Sequence, residues 1–171
     1  MLEYRTPAIY HATDTVLAPL DRLQDSFLRR VGVEPLEALM EFRLAPLATR
    51  RDIAMLGLVH RAAFRQGPPQ FWNFFHTAPS TAGRTTGLVS RRHTRQLVET
   101  RSGRFLVLVR RSALGLVAVY NLLPQKVVDT SCTKNFQRNL QELLKERAAA
   151  NCEDWAETFS PRIPLWRHPL K

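Results

Sequence analysis

Residues 112–144 read SALGLVAVYNLLPQKVVDTSCTKNFQRNLQELL, and this stretch decides the fold. It opens with an apolar segment that ends in the pentapeptide YNLLP at residues 120–124. After a short polar link, apolar residues recur three and four positions apart, which predicts a helix from Ser131 (or Thr130) to about Ala150. The apolar positions of that helix are Phe136, Leu140, Leu143 and Leu144. We expect Tyr120 and Phe136 to lie in the core and to lock the Leu-Pro turn against the helix.

The same spacing predicts helices in the first third of the chain. One is predicted to follow Thr13-Asp14, with its regular part starting at about Ala18 because Pro19 is tolerated only in a first turn, and Gly32 is suited to end it. Its apolar positions are Leu17, Leu20, Leu23, Phe27, Leu28 and Val31, and the fold is expected to pack around Leu20, Leu23 and Phe27. A shorter helix is predicted over residues 35–42, with Pro35 near the first position, where proline is tolerated.

A further helix is predicted to begin at Thr49, which would cap it together with Asp52 at the third helical position. This helix is expected to fade at residues 65–69, which read RQGPP. Its expected buried positions are Ile53, Leu56, Val59 and Ala63. His60 lies near the same apolar face, and we interpret it as a core histidine with its polar atoms satisfied.

Residues 71–75 read FWNFF, and we interpret their four aromatic side chains as a core plug, with base stacking as the alternative. Residues 96–99 and 105–109 flank a link that contains Gly103, so a small hairpin is plausible there. The pattern allows a second interpretation of residues 105–109, as the first turns of a helix that runs to Tyr120. Periodicity does not decide between the two.

A last short helix capped by Asn151 is expected to carry Trp155 and Phe159, and three prolines favour an extended tail after it. The predicted fold is thus mainly α: an irregular multi-helix domain with at most a small β-hairpin near residues 96–109. Residues 1–150 are expected to form the domain, and residues 151–171 a short helix with an extended tail.

Positive charge is concentrated in one part of the chain. Residues 84–111 hold eight arginines and a single acid, Glu99, and contribute +7 of the net charge of +10. Because the arginine side chain suits bidentate phosphate contacts and base stacking, this segment predicts nucleic-acid binding. The candidate binding residues are Arg84, Arg91, Arg92, Arg95, Arg101, Arg104, Arg110 and Arg111, together with Arg50 and Arg51. His93 lies within the segment, and we suggest that it gains charge when phosphate binds.

No catalytic or metal-binding pattern accompanies this charge. The chain lacks a nucleophile–base spacing, a glycine-rich phosphate loop and paired carboxylates. Cys132 and Cys152 have no second cysteine pair and no spaced histidine pair, so reduced thiols are expected, without a zinc site. The sequence therefore predicts no enzyme, no cofactor and no metal. It also predicts an intracellular protein outside the membrane, because no signal peptide and no apolar run of about 20 residues is evident.

Several segments resemble, in the same order, the end of the polymerase region of non-LTR (LINE-type) retrotransposon reverse transcriptases. YNLLP and the Phe136 helix are similar to the family's aromatic-Asn-x-Leu-Pro element and the helix with a buried Phe that follows it. Residues 2–10, which read LEYRTPAIY, are similar to the family's motif at the start of the thumb. Residues 20–29 (LDRLQDSFLR) and 44–56 (LAPLATRRDIAML) are similar to two motifs that come after it, so the resemblance covers about residues 2–145.

The resemblance implies a thumb and post-thumb segment without the catalytic palm. The family's aromatic-x-Asp-Asp turn, which holds metal ions, has no counterpart, since Glu153-Asp154 lies in a helical context. Tyr120 also stands where the family more usually has Trp, and Asp52 is shifted by a residue or two. The implied function is that of a non-catalytic reverse transcriptase fragment that binds the RNA template or an RNA–DNA duplex, with the polymerase portion of the parent open reading frame as a further partner. The alternatives are a protein-interaction module that uses the Trp155/Phe159 helix and the tail, or a relic of a decayed element.

Overall fold

The computed structural model of the chain describes residues 6–78, 92–99 and 105–171. The fold they form is mainly helical, which confirms the predicted fold class. The α-helices are, in chain order, α1 (Thr6–Ile9), α2 (Asp14–Val31), α3 (Pro35–Met40), α4 (Leu47–Ala63), α5 (Pro69–Trp72), α6 (Leu106–Arg110), α7 (Leu116–Leu122), α8 (Gln125–Val128) and α9 (Thr133–Ala149). Single-turn 3-10 helices lie at Trp155–Glu157 and Leu165–Arg167.

Helices α4 and α9 pack against each other at the centre of the molecule. Leu56 of α4 and Leu140 and Leu144 of α9 are completely buried, because both helices carry apolar side chains at the spacing of one helical face. Helix α7 packs on another side of α4 and supplies Tyr120 to the same core. The predicted burial of Ile53, Leu56 and Val59 is confirmed, as is that of Tyr120 and Phe136.

Helix α2 ends where the sequence predicts and begins earlier. Gly32 has a φ of +70°, a left-handed conformation that glycine adopts at low cost, and the N–H of Val33 donates to Leu28 O at 3.1 Å. The helix begins at Asp14, so Pro19 lies inside it instead of in its first turn. The prediction of a helix that follows Thr13 is therefore confirmed, whereas the later start of its regular part at about residue 18 is wrong by one turn.

The apolar stripe of α2 does not face the core. Leu17 and Leu28 are buried, but Leu23 is 60% exposed and Phe27 is 56% exposed. The prediction that Leu23 and Phe27 belong to the core is therefore wrong in this structure. The helix instead turns polar side chains toward α4: Asp21 pairs with Arg51, and Gln24 accepts a hydrogen bond from Arg50.

The predicted cap of α4 is also wrong. The helix begins at Leu47, immediately after Pro46, and Thr49 and Asp52 lie inside it. Their polar atoms are satisfied by distant residues, since the Thr49 hydroxyl donates to Ala156 O and Asp52 accepts from Tyr10. Both side chains therefore tie α4 to other parts of the chain instead of closing its own first turn.

Residues 96–99 pair with a different partner from the predicted hairpin. Leu97 forms an isolated antiparallel bridge with Thr77, and the N–H of Val98 donates to His76 O at 2.8 Å. Residues 106–110 form α6, so the strand alternative for this segment is wrong. The helical alternative is confirmed for residues 106–110, but the predicted single helix to Tyr120 is interrupted, since α6 ends at Arg110 and α7 begins at Leu116. The predicted link at residues 100–104 lies outside the described residues.

Of the four aromatic side chains at residues 71–75, which the sequence predicts to form a core plug, one belongs to the buried core. Phe75 is 5% exposed, whereas Phe71 and Phe74 are 40% and 58% exposed.

Toward the end of the chain Phe159 is completely buried in the main core, so this side chain of the predicted interaction helix is not available to a partner. Arg162 holds the tail to the start of the chain by donating to Tyr10 O and Ala12 O.

Candidate nucleic-acid interface

The YNLLP element fastens residues 92–99 to the helical core. The Asn121 side chain pairs with the backbone of Leu97 in both directions: Oδ1 accepts from Leu97 N at 2.8 Å, and Nδ2 donates to Leu97 O at 2.9 Å. Leu97 also bridges to Thr77, so its backbone has the Asn121 side chain on one side and the backbone of Thr77 on the other. The asparagine thus replaces the neighbouring strand that a sheet would provide, and it fixes the part of the arginine-rich stretch that follows Arg91.

Below this clamp lies a buried polar network. The Tyr120 hydroxyl donates to His60 Nδ1 at 3.1 Å, and His60 Nε2 donates to Thr130 O at 2.7 Å. The His60 ring stacks on Phe136 with centroids 3.8 Å apart and planes within 4°. Burial lowers the pKa of His60 to about 4, so the imidazole is neutral at neutral pH. These contacts confirm His60 as a core histidine with both nitrogens satisfied.

His93 is also part of the interior. It is 3% exposed, Nε2 donates to Tyr120 O at 2.9 Å, and Nδ1 accepts from the N–H of Arg95 at 3.1 Å. Burial lowers the pKa of His93. The side chain therefore holds the backbone of its own segment in place. Both ring nitrogens already have hydrogen-bond partners inside the protein, so the His93 ring is not placed to contact a phosphate.

The two described arginines beside His93 make intramolecular contacts. Arg92 donates to Leu122 O at 3.4 Å, to Lys171 O at 2.8 Å and to Leu170 O. The Arg95 guanidinium lies 3.8 Å from the centre of the Phe64 ring, a cation–π contact. Arg92 thereby links α7 to the last residues of the chain, and Arg95 covers the end of α4.

Arg50 and Arg51 make similar contacts on the other side of α4. Arg51 forms a bidentate ion pair with Asp21, with N–O distances of 2.8 and 2.9 Å, and its side chain is only 5% exposed. Arg50 donates to Gln24 at 2.9 Å. Both guanidinium groups therefore join α4 to α2.

The other candidate arginines divide into two sets. Arg110 and Arg111 are half-buried where α6 ends, and within the described residues neither side chain has an ion-pair partner. The second set lies outside the described residues and comprises Arg84, Arg91, Arg101 and Arg104. The structure thus brings Arg92 and Arg95 together on one clamped segment and leaves Arg50 and Arg51 apart from them.

A group of cations that the sequence analysis missed lies where α4 ends and α9 begins. The stacking of His60 on Phe136 brings these two helix ends side by side, and Gly57 lets the helices approach closely, since a Cβ there would lie 2.7 Å from Gln137 Nε2. Four exposed basic residues, which we name the basic end, flank this junction: Arg61, Arg65, Lys134 and Arg138. Their spacing along the chain gives no signal, because α4 and α9 are far apart in sequence and meet only in the fold.

The basic end lacks acidic partners. Within residues 6–78, 92–99 and 105–171, none of its four side chains forms an ion pair or a side-chain hydrogen bond. Lys134 and Arg138 are four positions apart on one helix, where two like charges destabilise by about 0.2–0.5 kcal/mol. The positive potential also acts on the neighbouring Cys132, because the backbone N–H groups of Asn135 and Lys134 and the charges of Lys134 and Arg138 lower the pKa of this thiol.

A shallow groove runs along the junction. Its cavity of about 250 Å³ is lined by both apolar and polar residues, among them Ala54, Gly57, Leu58, Arg61, Phe71, Thr133 and Gln137. Phe71, on the groove, and Phe74, after α5, expose their rings. A groove with cations at its edge and exposed aromatic rings nearby has the two components that single-stranded nucleic acid requires, namely charge for phosphates and ring faces for bases.

A second polar region lies between α2, the start of α4 and residues 153–167. It contains a cleft of about 870 Å³ in which Tyr10 donates to Asp52 at 2.7 Å. Burial raises the pKa of Asp52 to about 7, against the opposing effects of the Tyr10 hydrogen bond and of the Arg162 and Arg51 charges. Within the described residues, no group of three His, Cys, Asp or Glu side chains could hold a metal ion. The Asp52 carboxyl and the Tyr10 hydroxyl are thus hydrogen-bonded to each other. The described residues that line this cleft form no nucleophile–base pair.

Comparison with known proteins returned no relative: no protein-family model, no curated protein and no solved structure matches this chain. Among the described residues, no helix has the length and apolar character needed to cross a bilayer.

Proposed function

We propose that the chain is a non-catalytic nucleic-acid-binding module, similar to the thumb and post-thumb region of a non-LTR reverse transcriptase, that holds an RNA template or an RNA–DNA duplex. The observation that carries this proposal is the basic end, a cluster of four exposed cations with no acidic partner among the described residues, beside a groove that contains Phe71. The resemblance of residues 2–145 to that family and the net charge of +10 support the same conclusion.

Phosphate binding would offset the repulsion among the four cations of the basic end. Like charges without acidic partners among the described residues repel one another, whereas each phosphate that they neutralise releases condensed counterions. Phe71 and Phe74 add faces on which bases stack, and each stacked base contributes about 1–3 kcal/mol. Both contributions are independent of base sequence, as the grip of a polymerase on its template must be.

The arginine-rich stretch has two roles in this proposal. Arg92 and Arg95 position the segment through carbonyl and aromatic contacts, while Arg110 and Arg111 extend the positive surface beyond α6. The YNLLP element holds this segment in place, since Asn121 accepts from Leu97 N and Leu122 O accepts from Arg92. In this proposal the element therefore contributes to binding by fixing the backbone of residues 92–97.

The proposal is tested by a salt titration of binding to single-stranded RNA and to an RNA–DNA duplex. The test variant changes Arg61, Arg65, Lys134 and Arg138 to Ala. If all four side chains contact phosphates, the log–log salt slope on single strands falls in magnitude by about 2.8, at roughly 0.7 per contact. The matched control changes Arg43, Lys126, Arg167 and Lys171 to Ala, which removes the same charge from exposed positions outside the basic end and outside α2.

The control variant separates a specific surface from a general effect of net charge. We expect it to keep most of the affinity and nearly all of the slope. Equal losses in both variants, or no measurable binding by the wild type at low salt, would overturn the proposal. Replacing Arg92 is not a suitable test, because loss of its three carbonyl contacts would disturb the fold together with any binding.

A further inference from the structure

Helix α2 exposes an apolar stripe and turns a face of mixed polarity inward. Toward α4 it presents Asp21 and Gln24, both in polar contacts, beside Leu17 and Leu28. On its outer side Val16, Leu23, Phe27 and Val31 are 52–63% exposed, at spacings of seven, four and four residues along one stripe. An ordinary surface helix turns its apolar stripe to the core, so the exposed stripe of α2 is unusual.

The stripe continues onto α3 and the residues after it. Leu36 and Met40 of α3 are 40% and 38% exposed, and Phe42 is 65% exposed. Only the turn at residues 32–34 separates α2 from α3, and Gln24 Nε2 donates to Ala45 O at 3.1 Å, which draws the segment after α3 against the middle of α2. We call these exposed apolar residues of α2, α3 and Phe42 the α2–α3 face.

The size of this face matches that of a protein interface. Its seven large apolar side chains are each 38–65% exposed, and together they are comparable with the largest patch on a typical monomer, roughly 300–600 Å². A standard protein interface takes about 800 Å² from each partner. The face is therefore large enough for a stable dimer when the polar residues around its rim are added.

The charges of the rim suit a second copy of the same chain. Arginines are grouped on α2 and glutamates on α3: Arg22, Arg29, Arg30, Glu34, Glu37 and Glu41, all of them exposed. Two identical faces can therefore place the basic side of one against the acidic side of the other. A nucleic acid does not fit here, because residues 14–42 hold six acids against three arginines in a chain that is otherwise strongly basic.

We propose that the α2–α3 face is the interface of a homodimer in which two copies of this chain bury the stripe of α2 against each other. The contact is isologous: the same surface serves both protomers, so the assembly closes at two subunits. Leu23 and Phe27 lie near the centre of the stripe and are its anchors. This proposal is independent of nucleic-acid binding, which uses the basic end.

Sedimentation velocity of the nuclease-treated protein over a wide concentration range tests the dimer. The test variant is Leu23→Asp with Phe27→Asp, and we expect its dimer dissociation constant to rise at least about 100-fold, because central apolar anchors dominate interface energies. Both side chains are more than half exposed, so the monomer fold, followed by circular dichroism and thermal unfolding, should be unchanged. The matched control is Val107→Asp, at a position on α6 that is 68% exposed.

A charge exchange gives a second, independent measurement. Arg29→Glu with Arg30→Glu should weaken the dimer, and adding Glu34→Arg and Glu37→Arg in the same chain should restore it. A wild type that stays monomeric at all concentrations would overturn the proposal, and so would a dimer that survives Leu23→Asp with Phe27→Asp. Equal loss in the Val107→Asp control would assign the association to another surface and would also count against it.

Discussion

At the scale of single residues, Phe136 is the aromatic side chain on which the buried polar network packs. It is completely buried and stacks on His60, which in turn bonds to Tyr120 and Thr130. We expect Phe136→Ala to lower the free energy of unfolding by about 3–5 kcal/mol, through lost transfer energy and a cavity. Urea denaturation measures the change, with the exposed Phe71→Ala as control. A loss below about 1 kcal/mol would contradict the role of this ring in the core.

Gly115 is fixed by the close approach of another turn of the chain. A Cβ at this position would lie 2.6 Å from Arg110 Cα and 2.7 Å from Val109 O, both backbone atoms that cannot move aside independently. We expect Gly115→Ala to destabilise the protein by about 1–3 kcal/mol, the cost of an overpacked site. Gly57→Ala is the matched control, because its closest contact is the flexible end of Gln137. Similar thermal shifts in the two variants would show that the α6–α7 junction relaxes freely.

Asp52 and His60 give the protein opposing pH dependences. The pKa of Asp52 is about 7 in the fold and about 4 in an unfolded chain, so its contribution to stability is present below pH 4 and is lost as the pH rises to 7. The pKa of His60 is lowered to about 4, so its contribution is present above pH 6.5 and is lost as the pH falls to 4. The two effects oppose each other over the same pH range.

Asp52→Asn should therefore reveal the histidine dependence. We expect the variant to lose stability as the pH is lowered from 7 to 4.5 much more steeply than the wild type, because only the buried imidazoles then titrate. Urea unfolding at the two pH values measures this difference, and Asp25→Asn on the exposed side of α2 serves as control. Identical pH profiles for wild type and Asp52→Asn would show that the carboxyl is not buried in its neutral form.

At the scale of elements, the sequence predicts what is local and misses what depends on distant partners. The end of α2 at Gly32 and the buried face of α9 follow from spacing and backbone preference, which act over one or two turns. The spacing of α2 shows which of its faces is apolar, but not that this face lies outside. Likewise, the sequence does not show that Arg92 has partners within the protein, because Leu170 O and Lys171 O come close to it only in the fold.

The start of α9 supplies a chemical probe of the basic end. Cys132 is exposed, and the N–H groups of Asn135 and Lys134 with the charges of Lys134 and Arg138 lower its pKa. We expect Cys132 to be alkylated faster than Cys152 near neutral pH, and bound RNA to slow its reaction selectively. Mass spectrometry after brief iodoacetamide treatment resolves the two thiols. Equal protection of both by RNA, or of neither, would place the bound nucleic acid elsewhere.

At the scale of the whole molecule, charge and apolar surface are separated, and salt should separate the two proposed activities. The basic end carries four cations without acidic partners among the described residues, whereas the α2–α3 face carries Leu23 and Phe27 within a rim of both signs. Phosphate binding weakens steeply with salt because counterions are released, while apolar burial is largely insensitive to it. Raising NaCl should therefore release RNA and leave the dimer intact, and a sedimentation series with labelled RNA would follow both species. If dimer and RNA complex dissociate together, the protein associates through the nucleic acid, and the α2–α3 face is not the interface.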